Sequence, residues 1–273
     1  MPELPEVETL VREIRPLVSG LVLSQVRIFE PAILKTPADF FKRKLSGKKI
    51  LTVSRRGKFL VFELSGKFKL WFHLGMTGQL LWTLPSVPRD KHVHLVLEFE
   101  NSSHQLIFRD IRKFGKIFMT NGAVDLWPEG IRLLAQDPFE MGPQTFKGIL
   151  KGRDGRIKSL LMNQRLIAGI GNIYADESLY EARVHPRSKP ARLSAQRLEN
   201  LYSAIRKILE QAIQHGGSSI DDYLHADGGR GRFQNCHKVY GREEKPCFAC
   251  GSLIRRIRLS GRSSFFCPQC QKL

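Results

Sequence analysis

Four cysteines near the C-terminus have the spacing of a metal site. Cys247 and Cys250 form one Cys-x2-Cys pair, and Cys267 and Cys270 form a second pair after sixteen intervening residues. Each pair bends the backbone so that two thiolates converge, and two pairs supply the tetrahedral set of soft ligands that zinc prefers. Because protein atoms fill all four positions, we expect one structural zinc ion, with an iron–sulfur cluster as the minor alternative. Cys236, the fifth cysteine, is expected to be an unliganded thiol.

The N-terminal residues could carry a second kind of chemistry. If Met1 is removed, Pro2 presents a secondary amine, part of which is neutral at physiological pH. Such an amine can attack a sugar carbon and form an iminium ion that withdraws electrons for an elimination, while Glu3 and Glu6 could transfer protons. The alternative is structural, because prolines and acidic side chains also begin helices. Taken alone, these residues favour the structural interpretation.

The charge balance indicates a polyanionic partner. The 273-residue chain carries 44 Lys and Arg against 26 Asp and Glu, a net charge of +18. So large an excess favours nucleic acid, although a merely basic surface would have the same charge. Acidic residues occupy the N-terminus where a secretory signal is basic and then apolar, and glycine and proline interrupt the longest uncharged run, residues 70–88. We therefore expect a cytoplasmic protein with no membrane partner.

Hydrophobic periodicity predicts a β-rich N-terminal part. Apolar residues recur at helical spacing from Val7 to Val18, after Pro5 and before Gly20, and predict a first helix. A further helix is predicted over Ala38–Leu45. Short runs rich in Val, Ile, Leu and Phe predict eight strands of an antiparallel sandwich, at residues 22–29, 50–54, 59–64, 69–74, 79–83, 94–100, 105–109 and 116–120.

The second half of the chain is predicted to be helical. Residues 127–142 are rich in proline and glycine and indicate a connection between domains. A short helix is predicted over 172–182, and a long one begins at the possible N-cap Ser194 and ends before Gly216. The chain then becomes basic and rich in glycine. We expect an α+β protein with a catalytic domain over 1–135, a DNA-binding domain over 136–227 and a zinc ribbon over 228–273.

Several motifs together resemble the bacterial formamidopyrimidine-DNA glycosylase family. The resemblance runs from Pro2 to Cys270, and Leu4 distinguishes the leader from that of the related endonuclease VIII, which has glycine there. The motifs are Pro-Glu-Leu-Pro-Glu-Val-Glu at 2–8, Arg-Arg-Gly-Lys at 55–58, His-Leu-Gly-Met-Thr-Gly at 73–78, Gly-Ile-Gly-Asn-Ile-Tyr at 169–174, Val-Tyr-Gly-Arg at 239–242, and the cysteine ribbon. By this resemblance the fold is a helix with an eight-stranded sandwich, a helix–two-turn–helix domain and a zinc ribbon.

The resemblance implies a bifunctional enzyme of base-excision repair. Such enzymes remove 8-oxoguanine and formamidopyrimidines from duplex DNA and then cleave the strand by β,δ-elimination. By similarity, Pro2 is the nucleophile at the anomeric carbon, Glu3 is the acid and base, and Glu6 supports the terminus. Lys58 matches the family lysine near the damaged base, and Arg262 matches the ribbon arginine that grips the phosphate beside the scissile sugar.

The resemblance also implies how DNA is held. A base inside a duplex must be flipped out to be reached, at a cost of a few kcal/mol, and something must fill the gap. Met76, Arg112 and Phe114 match the gap-filling trio, although by residue type alone we would expect two core residues and a surface charge. Segment 217–233 corresponds to the loop that closes over the flipped base. Further DNA contacts are implied for His92, Lys158, Asn172 and Tyr240.

The chain departs from the family pattern at a few positions. Ile111 stands where proline is common, and Asp221 replaces an arginine in the closing loop. Val93, Ser159 and Phe265 replace a usual Asp, Pro and His. None of these is a residue to which chemistry is assigned, so the same reaction is expected.

Two other functions remain as alternatives at this point. The same scaffold could act mainly on oxidised pyrimidines, or the protein could be a non-catalytic zinc-ribbon DNA-binding protein. The favoured partner is double-stranded DNA that contains oxidised purines or abasic sites, bound by a monomer.

Overall fold

The computed structural model describes residues 1–85, 89–122 and 127–273. They form two compact units, one of Met1–Arg132 with His215–Arg232 and the other of Leu133–Gln214 with Phe233–Leu273. The expected boundaries at 135 and 227 stay a prediction, and the boundary at Arg132 lies within the predicted connection 127–142. Among the described residues, no helix is both long enough and apolar enough to cross a membrane. Residues 86–88 of the uncharged run lie outside this description.

The first helix, α1 (Leu4–Val18), follows directly from its sequence. Glu3 is its N-cap residue, and a capping box pairs Glu3 with Glu6. Pro5 occupies the first turn, where the amide that proline lacks has no partner within the helix. The apolar stripe of the helix is buried except at Leu17, which is exposed. The helix ends before Gly20, which has φ +90°, as the sequence predicts.

Two four-stranded antiparallel sheets make up most of the first unit, and all eight predicted strands are present in them. The elements are β1 (Leu23–Ile28), α2 (Ala38–Leu45), β2 (Ile50–Arg56), β3 (Phe59–Leu64), β4 (Phe68–His73), β5 (Gly78–Thr83), β6 (Val93–Phe99), β7 (Gln105–Asp110), β8 (Lys116–Asn121) and α3 (Glu129–Arg132). One sheet has the order β1-β6-β7-β5 and the other β2-β3-β4-β8. Side chains from both sheets, α1 and α2 share a single core, in which the rings of Phe72 and Phe108 lie 6.0 Å apart. The predicted sandwich is therefore confirmed.

The second unit is helical with a small ribbon, as expected. Its elements are α4 (Pro143–Leu150), α5 (Ile157–Leu161), α6 (Asn172–Glu181), α7 (Ala195–Gln214), β9 (Arg255–Leu259) and β10 (Arg262–Phe266). The Ser194 hydroxyl accepts a hydrogen bond from the Arg197 amide at 3.3 Å, which confirms it as the cap of α7. Strands β9 and β10 pair in an antiparallel ribbon that turns at Ser260 and Gly261.

Candidate functional site

The N-terminal acids form the beginning of α1. Pro2 is buried, and Glu3 and Glu6 are only 2% and 1% exposed. The Glu3 amide donates to Oε2 of Glu6 at 2.7 Å. Glu3 and Glu6 therefore cap a helix, and this role is compatible with chemistry because the cap holds the backbone beside Pro2 in one geometry.

The other oxygen of the Glu6 carboxylate binds a distant segment of the same unit. Oε1 accepts a hydrogen bond from the Ser218 amide at 2.8 Å, and the Tyr223 hydroxyl donates to the Glu6 carbonyl at 3.2 Å. Gly217 lies so close that a Cβ there would stand 2.8 Å from Oε1 of Glu6. Segment 215–232, which contains most of the predicted closing loop, is thus attached to the helix that carries the predicted catalytic acids.

A second anchor fastens the same segment two turns further along α1. Glu13 pairs with Nδ1 of His225 at 2.9 Å and accepts the Ala226 amide at 2.9 Å. Nε2 of His225 lies 2.9 Å from the Gly216 carbonyl. Both ring nitrogens therefore lie within hydrogen-bond distance of an oxygen, and the ring joins Glu13 of α1 to the backbone at Gly216.

Asp221, the departure in this segment, is exposed. The guanidinium of Arg230 donates to the carbonyls of Ser219 and Asp221, at 3.3 and 3.2 Å. A cation thus lies at the tip of the segment although position 221 itself carries an acid.

Lys58 lies at the tight turn between β2 and β3 and is buried. Burial, together with the charge of Lys58, lowers the pKa of His73 to about 4. The neutral ring of His73 accepts the Gly75 amide at Nδ1, at 3.2 Å, and packs on Phe59 at 4.9 Å between ring centroids. His73 therefore links the predicted catalytic lysine to the loop that precedes Met76.

The three predicted gap-filling residues all lie on the surface. Met76 and Phe114 are 39% and 49% exposed, so neither is a core residue. The guanidinium of Arg112 stacks on the Phe114 ring at 4.7 Å. Two apolar groups and a cation exposed on adjoining loops are suited to replace a displaced base and to bond its partner.

One buried carboxylate, which sequence reasoning missed, organises this surface. Asp110 has no exposed surface, and its oxygens accept the Thr77 hydroxyl, the Arg112 amide at 3.2 Å and the Gly115 amide at 2.7 Å. These three groups adjoin or belong to Met76, Arg112 and Phe114. Gly75 completes the contact, because a Cβ there would stand 2.7 Å from the Phe114 backbone.

His92, a predicted DNA contact, is partly exposed and directly precedes β6. Its amide donates to Asp90 at 2.9 Å, and its carbonyl accepts the Asp110 amide at 2.9 Å. The backbone of His92 therefore adjoins the residue whose carboxylate organises the gap-filling loops.

In the second unit, Asn172 begins α6, with Gly171 as the N-cap residue. The preceding loop is ordered by Gln164, whose side-chain amide donates to the Ile170 carbonyl at 2.8 Å and whose oxygen accepts the Gly169 amide at 2.9 Å. The N-terminus of a helix is the positive end of its dipole, and such an end suits a phosphate.

The next turn of α6 carries an acid that holds the predicted Val-Tyr-Gly contact. Glu177 is buried, and burial raises its pKa although three amides hydrogen-bond to the carboxylate. The donors are Lys238 at 2.9 Å, Val239 at 3.0 Å and Tyr240 at 2.8 Å. The backbone around Tyr240 is thereby fixed to the helix that begins with Asn172.

The two predicted basic contacts of this unit have opposite environments. Arg262 is exposed at the start of β10, beside the ribbon turn. Lys158 is 2% exposed in α5, with its ammonium 2.8 Å from Asp176. Both residues line a cavity of about 100 Å³ with Met162 and Asn163. Arg262 is therefore placed to meet a phosphate, whereas the charge of Lys158 is directed into the protein.

The four cysteines of the two pairs converge, as predicted. Their sulfur atoms all lie within 4.8 Å of one another, with Cys247 and Cys270 at 3.9 Å and Cys250 and Cys267 at 3.4 Å. A tetrahedron with zinc–sulfur bonds of about 2.3 Å has sulfur–sulfur edges of about 3.8 Å, so the cluster has the size of a zinc site. Cys236 lies outside this cluster.

Comparisons with known proteins agree with this geometry. The formamidopyrimidine-DNA glycosylase N-terminal domain matches residues 1–117, the H2TH domain of the same family matches 134–223, and a zinc finger found in FPG and IleRS matches 244–273. A formamidopyrimidine-DNA glycosylase of Solibacter usitatus is 45% identical over 273 residues, all of both chains.

Solved complexes of the Lactococcus lactis Fpg are similar over the whole fold. Complexes with DNA that contains Fapy-dG, an abasic site or an oxidised pyrimidine have TM-scores of 0.92, 0.91 and 0.91. Each is 36% identical and covers 99% or 100% of this chain and 100% of its own.

The chain belongs to the formamidopyrimidine-DNA glycosylase family. The resemblance drawn from the motifs is confirmed, and so is the expected fold class. This family member is an enzyme, a DNA glycosylase of base-excision repair, which speaks against a non-catalytic zinc-ribbon protein. The zinc-finger match also decides the metal: the four cysteines hold one structural zinc ion.

Proposed function

We propose that this glycosylase removes oxidised purines, 8-oxoguanine and formamidopyrimidines, from duplex DNA and then cleaves the strand at the abasic site. The capped N-terminus carries the proposal, since Pro2 directly precedes a helix cap built from two buried acids. The Lactococcus lactis relative forms solved complexes with Fapy-dG DNA and abasic-site DNA, which supports both the substrate and the lyase step.

The chemistry requires removal of Met1, because only then is the Pro2 nitrogen an amine. That amine attacks the anomeric carbon, the bond from this carbon to the damaged base breaks, and the base leaves with the bond's electron pair and a proton. Glu3 supplies protons as the sugar ring opens, and the nitrogen becomes an iminium. Loss of a sugar proton then expels the 3′ phosphate, and a second elimination expels the 5′ phosphate.

Other residues of the first unit would hold the reactants. Glu6 fixes the Glu3 backbone through the 2.7 Å hydrogen bond to its amide. Lys58 would pair with the phosphate near the damaged base. Met76, Arg112 and Phe114 would occupy the space left by the flipped nucleotide, which keeps the base outside the stack.

Phosphate contacts are proposed for residues of both units. His92 belongs to the first unit and would contact the DNA backbone. In the second unit the contacts would come from Asn172 at the start of α6, the turn around Tyr240, and Arg262 at the ribbon. If about six phosphates are engaged, the logarithm of affinity should fall against the logarithm of salt concentration with a slope near roughly −5. Because such a substrate is chromosomal, a cytoplasmic location follows.

Borohydride trapping on an 8-oxoguanine·cytosine duplex tests the proposal. The wild-type chain, confirmed by mass spectrometry to lack Met1, should form a covalent complex, whereas Pro2→Gly and Glu3→Gln should form little. Glu100→Gln is the matched control, because Glu100 is an exposed acid of the same unit. Failure of the wild type to form the complex would overturn the lyase mechanism.

Oxidised pyrimidines are a second candidate substrate. A complex of the Lactococcus lactis Fpg with oxidised-pyrimidine DNA has also been solved. In this chain, Asp221 stands where the family's closing loop usually has an arginine. Trapping on a thymine-glycol duplex beside the 8-oxoguanine duplex separates the two candidates. Preferential trapping on 8-oxoguanine is expected, and the reverse preference would favour the second candidate.

A further inference from the structure

The ammonium group of Lys158 is enclosed by oxygen atoms of its own unit. Nζ lies 2.8 Å from Oδ1 of Asp176, 2.9 Å from the Ser263 carbonyl and 2.8 Å from the Ser264 hydroxyl. The Ser263 and Ser264 oxygens accept hydrogen bonds from the ammonium, and the Asp176 carboxylate forms an ion pair with it. The charge of Lys158 is therefore balanced within the protein and its ammonium is directed at β10 and α6.

Asp176 completes the arrangement from the other side. Its second oxygen, Oδ2, accepts the Phe265 amide at 3.0 Å, and its side chain has no exposed surface. Burial raises the pKa of Asp176 to about 7, and the Lys158 ammonium opposes that rise. The pair of side chains thus holds three consecutive residues of β10, from Ser263 to Phe265.

The strand held in this way begins with Arg262. Lys158 comes from α5 and Asp176 from α6, so the ion pair connects β10 to two helices of the unit. The ribbon itself has only a small apolar core, which includes Val239, Ile254 and Phe265. In so small a ribbon, a buried ion pair that also hydrogen-bonds the strand contributes to defining the position of that strand.

We propose that Lys158 and Asp176 are positioning residues that fix β10, and with it Arg262, and that Lys158 does not contact DNA phosphate. The proposal rests on the proposed function only in the role it gives Arg262. It changes the role that the family resemblance implies for Lys158, from a contact at the lesion to an internal support. Both members of the pair are needed, because either charge alone would be buried without its partner.

Salt dependence of binding distinguishes the two roles of Lys158. Affinity for a duplex with a tetrahydrofuran abasic analogue is measured by fluorescence anisotropy over a range of salt concentrations. Lys158→Met should weaken binding by about tenfold by displacing Arg262, so adding it to Arg262→Gln should leave the slope of that variant unchanged. Arg262→Gln is the control, and it should reduce the magnitude of the slope by about 0.9, the loss of one phosphate contact.

Zinc release reports the structural half of the proposal. The rate at which a chromophoric chelator removes zinc should rise several-fold in Lys158→Met and in Asp176→Asn. The double variant Lys158→Met with Asp176→Asn should recover part of this loss, because it leaves no unpaired buried charge. Arg262→Gln should release zinc at the wild-type rate, since the exposed Arg262 side chain lies outside this ion pair.

The possible outcomes separate the proposal from the proposed function. A slope reduced by about a further 0.9 when Lys158→Met is added to Arg262→Gln, or wild-type zinc release in Asp176→Asn, would overturn the positioning role. If Lys158→Met does not fold, zinc release in Asp176→Asn still tests the positioning role, because its lysine keeps the Ser263 and Ser264 acceptors. Neither readout needs base excision, so absence of borohydride trapping would sink the proposed function alone.

Discussion

The carboxylate of Glu6 joins the backbone of Glu3 to that of Ser218. One oxygen accepts the Glu3 amide at 2.7 Å and the other accepts the Ser218 amide at 2.8 Å. One side of this link is the proposed catalytic acid, and the other is the segment that corresponds to the family's closing loop. A change in the position of the segment is therefore transmitted to the helix cap that orients the acid.

Gly217 is the residue that permits this link, and its replacement should break it. In Gly217→Ala the new Cβ would have to lie 2.8 Å from Oε1 of Glu6, at a backbone φ of +79°. We expect a loss of about 2–3 kcal/mol in the free energy of unfolding and at least a roughly tenfold slower excision in single turnover. All three tryptophans lie in the first unit, so intrinsic fluorescence during urea unfolding measures this loss.

Gly20→Ala is the matched control for the backbone strain. Gly20 also has a positive φ, +90°, but nothing lies within 4 Å of its Cβ position. The Gly20→Ala variant should lose about 1–2 kcal/mol of unfolding free energy through backbone strain alone, and it should keep the wild-type excision rate. Equal excision rates in the two variants would show that the contact with Glu6 has no effect on the reaction.

Asp110→Asn should uncouple the three gap-filling residues from one another. The amide of asparagine presents a donor toward one of the backbone amides that the carboxylate now accepts, at Arg112 or Gly115. We expect a loss of about 2–4 kcal/mol in stability and weaker base flipping, because Met76 and Phe114 lose their fixed positions. Fluorescence of a 2-aminopurine opposite the lesion would report the flipping.

The control for Asp110→Asn is Asp39→Asn, an exposed acid on α2 of the same unit. It removes the same charge and should leave flipping and stability near the wild-type values. If Asp110→Asn flips the base as efficiently as this control, the carboxylate does not position the gap-filling loops.

Much of the fold could be predicted because its signals are local. The apolar stripe of α1, the alternating strand residues and the two cysteine pairs each lie within one short stretch of sequence. Contacts between residues that are far apart in the sequence leave no such local signal. Asp176 meets the Phe265 amide 89 residues further along, and Asp110 meets Thr77 from 33 residues away, so no local pattern marks either acid as a support.

The candidate site shows the same division between local and distant signals. Residue type alone favoured a core position for Met76 and Phe114, and the structure places both on the surface, as the resemblance implied. Lys158 shows the converse. The match to the family implied a DNA contact, whereas the structure buries the side chain. A matched position therefore indicates which residue is used, whereas only the contacts show how it is used.

His73 should make the first unit sensitive to acid. Its pKa is lowered from 6.5 to about 4 because the ring is buried near Lys58, so the unfolded state binds a proton more readily than the folded state. Stability from this group is fully present above pH 6.5 and is lost as the pH falls toward 4. Between about pH 7.5 and 5.0 the free energy of unfolding should fall by about 2 kcal/mol on this account.

Urea unfolding followed by tryptophan fluorescence at the two pH values measures this change. His73→Asn keeps an acceptor for the Gly75 amide but has no titrating group, so it should lose about 2 kcal/mol less between the two pH values than the wild type. His215→Asn, at an exposed position of the same unit, should behave as the wild type. An unaltered pH dependence in His73→Asn would contradict the assignment of acid sensitivity to this ring.

Zinc removal should unfold the ribbon and leave the first unit folded. The ribbon has few buried apolar residues of its own, and a structural zinc ion contributes up to about 10–16 kcal/mol to folding in such small domains. After chelation, DNA binding should weaken by at least roughly a hundredfold, because the proposed contacts of Arg262 and Tyr240 depend on the ribbon and the turn beside it. Tryptophan fluorescence should stay unchanged, since every tryptophan belongs to the other unit.

Cys250→Ser should reproduce the loss of DNA binding and Cys236→Ser should not, because Cys236 lies outside the metal cluster. Wild-type DNA affinity in the zinc-free protein would show that the ribbon is not part of the binding surface.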